Sequence, residues 1–144
     1  MTIVGFSFTQ ISAEKKPNVH GKININNNVT IVDVQTADLF LGSIKQPGLR
    51  FLFEYKSTYS PGLGTIVLGG EVLYMGDANK NSEILASWKK DKKVSGSVIS
   101  EILNHVLGRC NIEALLISRE VNLPPPIPLP RLKSEEKPEG KSQL

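Results

Sequence analysis

The sequence predicts an α+β fold: a four-stranded antiparallel sheet followed by a short and a long helix packed on one face. Three observations predict it. Apolar residues alternate with period two along most of the chain up to Met75, a helical period takes over after Asp77, and the composition is that of one ordinary core. With 144 residues, 40% of them hydrophobic and 22% charged, a single domain is expected over residues 1–130. It ends in a proline-rich arm, residues 122–131, and a disordered polar tail is expected over 132–144.

The first strand is "IVGFSFTQISAE". Val4, Phe6 and Phe8 occupy even positions, then Ile11 and Ala13 occupy odd ones, so a β-bulge or sharp bend is expected at Thr9 and Gln10. Polar turn residues follow in "KKPNVHG". A long strand is expected from "KININNNVTIVDVQTADLFLG", where Ile23, Ile25, Val29 and Ile31 share one phase, Val32 and Val34 take the other, and an irregularity falls near Ile31. "LRFLFEYKSTY" is the clearest strand. Leu49, Phe51, Phe53 and Tyr55 lie on one face, and Arg50, Glu54, Lys56 and Thr58 on the other. "SPGLG" reverses the chain, and the fourth strand, "TIVLGGEVLYMGD", carries Ile66, Leu68, Val72 and Tyr74 in one phase. Gly69 and Gly70 mark a bulge or the close approach of another backbone.

Asn81 or Ser82 is expected to cap a short helix bearing Ile84, Leu85 and Trp88, with lysines at its end as the helix dipole prefers. A long helix follows from Ser97 to Val121. Ile99, Leu103, Val106, Cys110, Ala114, Ile117 and Val121 recur at helical spacing, with Ile102, Leu107, Leu115 and Leu116 widening the stripe. Gly108 predicts a kink, a close helix crossing or a break. Pro124 ends the helix.

The net charge of +3 arises from 17 basic and 14 acidic residues spread along the chain, a weak basis for nucleic-acid binding, and none is expected. "WKKDKK", Trp88 to Lys93, reads as the solvated end of a helix. With Cys110 as the only cysteine, no intramolecular disulfide can form and a reducing, cytoplasmic location is expected. No apolar run reaches the roughly 18–20 residues that span a bilayer, so no membrane insertion is expected.

The residues that carry chemistry are sparse. His20 and His105 have no third ligand type at metal spacing, Cys110 falls on the apolar stripe as a small hydrophobe, and "GLGTIVLGG" lacks the spacing of a phosphate loop. Asp33 with Asp38, and Glu101 with Glu113, are unconvincing as carboxylate pairs. A non-enzyme with no metal and no cofactor is expected. Phe6, Phe8, Phe51, Phe53 and Tyr55, added to a broad helical stripe, exceed what one subunit hides, so a homo-oligomer, dimer or tetramer, is expected. Its interface is placed on Ile99, Leu103, Val106, Cys110, Ala114 and Ile117.

This order of parts resembles the SecB family of protein-export chaperones, in which four antiparallel strands precede a long helix that packs the tetramer. "FSFTQI", Phe6 to Ile11, looks like the start of that family's first strand, and "NLPPP", Asn122 to Pro126, is similar to its Asn-Leu-x-Pro segment after the helix. The resemblance implies an ATP-independent holdase that binds unfolded or extended polypeptides. It carries over Phe6, Phe8 and Ile11, and Asn122, Leu123 and Pro124; Phe51, Phe53 and Tyr55 join the peptide-binding set from strand alternation alone. Members of the family also end in a second long helix and use an acidic surface to dock the export ATPase SecA, whereas this chain is basic. The alternative expectation is a non-enzymatic adapter or structural subunit of a larger protein assembly.

The proline arm comprises Leu123, Pro124, Pro125, Pro126, Ile127, Pro128, Leu129 and Pro130. Proline removes backbone donors and lowers chain entropy, so the arm is expected to strap an apolar groove of its own sheet or of a neighbour's.

Overall fold

The structure, a computed structural model, describes residues 2–17, 21–94 and 96–127. Four strands come first: β1 (Thr2–Lys15), β2 (Asn24–Leu41), β3 (Ile44–Ser60) and β4 (Gly64–Met75). Two helices follow, α1 (Ala78–Asp91) and α2 (Ser97–Glu120). The strands form one antiparallel sheet in the order β1-β4-β3-β2, and both helices pack on it, so the expected α+β fold is present.

Local chemistry accounts for the joints. Leu41 pairs with Ile44 across a two-residue turn in which Gly42 has φ of 68°, the left-handed value that the first central residue of a II′ hairpin requires. Strand β3 therefore starts at Ile44 rather than at Leu49. Pro47 is tolerated there because β4 pairs with β3 only from Gly48 onward, which leaves a two-stranded ribbon around the proline. The bulge expected at Thr9 and Gln10 is a register shift between Phe8 and Gln10, and the irregularity near Ile31 lies between Ile31 and Asp33. A further shift between Ile3 and Gly5 has no counterpart in the alternation of the sequence.

The core lies between the helices and the two central strands. Leu49, Phe51, Phe53, Tyr55 and Tyr59 of β3 are buried there with Ile66, Leu68, Val72 and Tyr74 of β4. Burial of each large apolar side chain stabilises the fold by about 1.5–3 kcal/mol relative to exposure. The opposite face is more polar, and Arg50 Nε lies 3.2 Å from Glu71 Oε1 on it.

Helix α1 begins earlier than expected. Asp77 is its cap, accepting the Lys80 N–H at 2.8 Å through Oδ1, while Asn81 is buried inside the helix and donates to the Gly76 carbonyl. Its far end closes with Lys92 at φ 56°, whose N–H donates to the Trp88 carbonyl.

Helix α2 runs unbroken through Gly108, which lies on its exposed side, where a Cβ would meet nothing within 4 Å beyond its own helix backbone and chain neighbours among the described residues. Its buried line is Val98, Ile102, Val106, Cys110, Ala114 and Ser118, a fourfold spacing throughout. Rows spaced by four incline to the helix axis, so α2 crosses the sheet along such a ridge rather than along the axial stripe counted in the sequence. Ser118, the polar member of the line, is satisfied by donating to the Leu115 carbonyl at 2.7 Å. Among the described residues, no helix is long and apolar enough to cross a membrane.

Candidate functional site

The margin of the sheet along β1 gathers aromatic and cationic side chains. Phe6 stacks on Phe53 with centroids 5.3 Å apart, meets Phe8 edge-on at 5.0 Å and His105 at 5.4 Å, and carries the Arg109 guanidinium 4.5 Å above its ring. Gly70 makes this cluster possible. It stands between Phe53 and Phe8 in the strand pairing, and a Cβ on it would lie 2.2 Å from the Ser7 carbonyl oxygen and 2.9 Å from Phe53 Cζ. The missing side chain lets rings on β3 and β1 meet across β4. The close approach expected of the glycine pair is present at Gly70, and the neighbouring bulge belongs to β1 rather than to β4.

Among the described residues, β1 pairs with β4 on one side and with no strand on the other. Along this edge Phe6 and Phe8 are half-buried, Ile11 is 47% exposed and Val4 is exposed as well. His105 Nε2 is buried beside Phe6 without a hydrogen-bond partner.

Three other residues placed in the peptide-contacting set require correction. Phe51, Phe53 and Tyr55 lie under the helices with almost no exposure. Alternation identifies the apolar face of a strand but not what covers it, and here α1 and α2 cover it. The same holds for the expected subunit interface: Val106, Cys110 and Ala114 are fully buried against the sheet and cannot reach a second subunit. Ile99, Leu103 and Ile117 flank that line half-buried. Apolar residues open to solvent include Ile112 and Leu116 on the outer side of α2, Ile25 and Val32 on β2, and Phe40 and Ile44, 67% and 60% exposed, at the tip of the β2–β3 ribbon. Solvent exposure at the tip follows from the ribbon outrunning β4, which the alternation of β2 and β3 does not reveal.

Burial sets the protonation of the interior Cys110 and Tyr59. Burial pushes the Cys110 thiol up to about 12, so it stays protonated and is no nucleophile. Tyr59 is likewise pushed up to about 12 by burial, with the neighbouring Tyr55 adding to the shift. At the β2 bulge, Asp33 accepts hydrogen bonds from Gln35 Nε2 at 3.1 Å, Val34 N at 2.9 Å and Trp88 Nε1 at 3.0 Å. These bonds, that of Gln35 foremost, hold its carboxyl below the usual carboxylate value. Among the described residues, no three His, Cys, Asp or Glu side chains come together as metal ligands. His20 lies outside the described residues.

After α2 the chain turns at Asn122, φ 58°, and runs back over its own sheet. The Leu123 N–H donates to the Ser118 carbonyl at 2.8 Å, and the Leu123 side chain is buried near Gly64. Tyr59 Oη donates to the Pro124 carbonyl at 2.5 Å, and Asn27 Nδ2 to the Pro126 carbonyl at 2.8 Å. Of the expected arm, Leu123, Pro124, Pro125, Pro126 and Ile127 are described; Pro128, Leu129 and Pro130, and the tail after them, lie outside the described residues.

Compared with protein families, with known proteins and with solved structures, the chain matches none. The likeness to the SecB family stands on the order of the elements and on the two short motifs alone.

Proposed function

We propose that this chain is an ATP-independent holdase that takes up non-native polypeptide along the β1 margin. The observation that supports the reading is the stretch from Phe6 to Ile11 at the margin of the sheet, where no strand lies beyond β1 among the described residues and the aromatic rings are half-open. An extended chain can add to such an edge through backbone hydrogen bonds while its alternate side chains meet Phe6, Phe8 and Ile11. Main-chain recognition is indifferent to sequence, as a holdase requires. Ile112 and Leu116 then serve a contact between subunits, since they are the large apolar residues that α2 leaves outside, and the single cysteine, which allows no intramolecular disulfide, suits a cytoplasmic protein.

The test is suppression of light scattering by several unrelated denatured proteins at near-stoichiometric ratio. Ile11→Asp and Phe8→Asp are expected to weaken suppression at least about fivefold, a loss of roughly 1 kcal/mol in binding. If the unaltered chain suppresses none of the substrates, the proposal fails. Ile112→Asp is expected to lower the solution mass without abolishing folding.

A second reading, an adapter that grips one folded partner, is favoured by the β2–β3 tip, where Phe40 and Ile44 stand out beyond the sheet. It predicts no suppression of aggregation and a partner whose binding is lost on Phe40→Ser.

A further inference from the structure

The contacts of the proline arm identify a second surface, independent of the β1 margin. Two side-chain donors of the sheet, Tyr59 Oη and Asn27 Nδ2, are each satisfied by a proline carbonyl of the arm, at Pro124 and Pro126. Neither contact asks the bound segment for an N–H, which proline lacks. We propose that Tyr59 and Asn27 form a seat for proline-rich segments, that residues 123–127 are its resident occupant, and that a proline-rich segment of another polypeptide takes the same seat in trans.

The seat is built from behind. The Pro126 carbonyl can only accept, so Asn27 turns its Nδ2 toward the arm and its Oδ1 toward Ser57, whose hydroxyl donates to it at 2.7 Å. Ser57 is buried and also lies 3.1 Å from the Tyr55 oxygen, itself 3.5 Å from Asn111 Oδ1. Tyr59 has no exposed surface. Both donors are thus oriented by their surroundings before any segment arrives, which lowers the ordering cost of binding. Leu123 anchors the arm over Gly64, where a Cβ would come within 3.3 Å of Leu123 Cδ2.

The occupant, residues 123–127, lies beyond Glu120, the last residue of α2. A cleft of about 530 Å³ separates Leu115, Ser118 and Arg119 of α2 from Leu123, Pro124 and Pro125 of the arm. Apart from the Leu123 N–H, which donates to the Ser118 carbonyl of α2, the arm is held from the sheet side. Because it is tethered, its effective concentration at the seat is in the millimolar range, and a segment in trans is masked until the tethered one is weakened.

The experiment uses the full-length chain and a fluorescein-labelled peptide with the sequence of residues 122–132, read by fluorescence anisotropy. Leu123→Asp loosens the resident arm and is expected to tighten binding of the peptide at least about tenfold over the unaltered chain. Adding Asn27→Ala, which removes one donor to the arm at an exposed position, is expected to reverse that gain, and a shuffled peptide of the same composition is expected to bind more weakly. Equal affinity for the unaltered and Leu123→Asp chains, no effect of Asn27→Ala, or no binding to any variant overturns the proposal. Should Leu123→Asp fail to fold, Tyr59→Phe takes its place. Hydrogen exchange at the Leu123 amide is then expected to quicken several-fold as the arm lifts, and an unchanged rate overturns the seat.

Discussion

The two edges of the sheet are finished differently. On β2 the edge is tied down at two places: Trp88 of α1 donates to Asp33 at the bulge, and Asn27 holds the arm that follows α2. On β1 two register shifts break the regularity of the strand. Bulges discourage pairing with another sheet, because they twist the edge out of register with a flat neighbour. They do not cover apolar surface. The difference teaches where the molecule spends its polar contacts, since the edge bound to the rest of the chain is the one rich in asparagine, and the edge left open is the one bordered by phenylalanine.

Substitutions test that contrast, beginning with the largest expected effect. Phe53→Ala removes the ring on which the β1 cluster rests and is expected to cost about 3–5 kcal/mol in urea unfolding, as for other buried aromatics. A loss under about 1 kcal/mol would mean that the cluster is loose rather than packed. Asp33→Ala leaves the Trp88 indole N–H without its acceptor at the tied edge and is expected to lower the urea midpoint, by less than Phe53→Ala does. Acid should reproduce part of that loss. Since the folded carboxyl titrates below its unfolded value, its contribution is fully present above the unfolded pKa and disappears as pH falls through the folded one. The Asp33→Ala chain is expected to lack this component of acid sensitivity.

Tyr59→Phe deletes one donor to the arm and is expected to cost about 1 kcal/mol. In alkali the sign is opposite to that at Asp33. Tyr59 and Cys110 are both raised to about 12, from ordinary values of 10.0 and 9.0, so their contribution is intact below about 9 and is lost as pH rises toward 12. Unfolding followed by circular dichroism across that range checks it. The smallest change is expected at the open edge, where Ile11→Asp should alter stability by no more than about 0.5 kcal/mol while impairing uptake of denatured chains.

Much of the fold was legible because strands and helices write different periods. The jump from Phe8 to Ile11 revealed a bulge, the shift between Ile31 and Val34 another, and the glycine pair a close approach. The extent of α2 was legible too, to within its last residue. Less legible was the rotation of that helix, because its stripe is wide enough to accommodate either an axial line or an inclined ridge, and only the angle at which it crosses the sheet chooses. Pro47 concealed the first turn of β3, since proline inside a strand is compatible with pairing only where one side is vacant, and vacancy depends on where β4 begins. The placement of Phe51, Phe53 and Tyr55 failed for a related reason: the alternation that marks a face for burial is the same whether a helix or a ligand buries it. The helix start was missed because Ala78, Asn79 and Lys80 carry no apolar signal, while the cap at Asp77 is a matter of backbone angle.

Cys110 sits midway along the buried ridge of α2, alone of its kind in the chain and sealed from solvent. A thiol reagent can modify it only during the moments when helix and sheet part. The pace of that modification is a stopwatch for the parting of the two layers, built into the natural sequence and needing no engineered label.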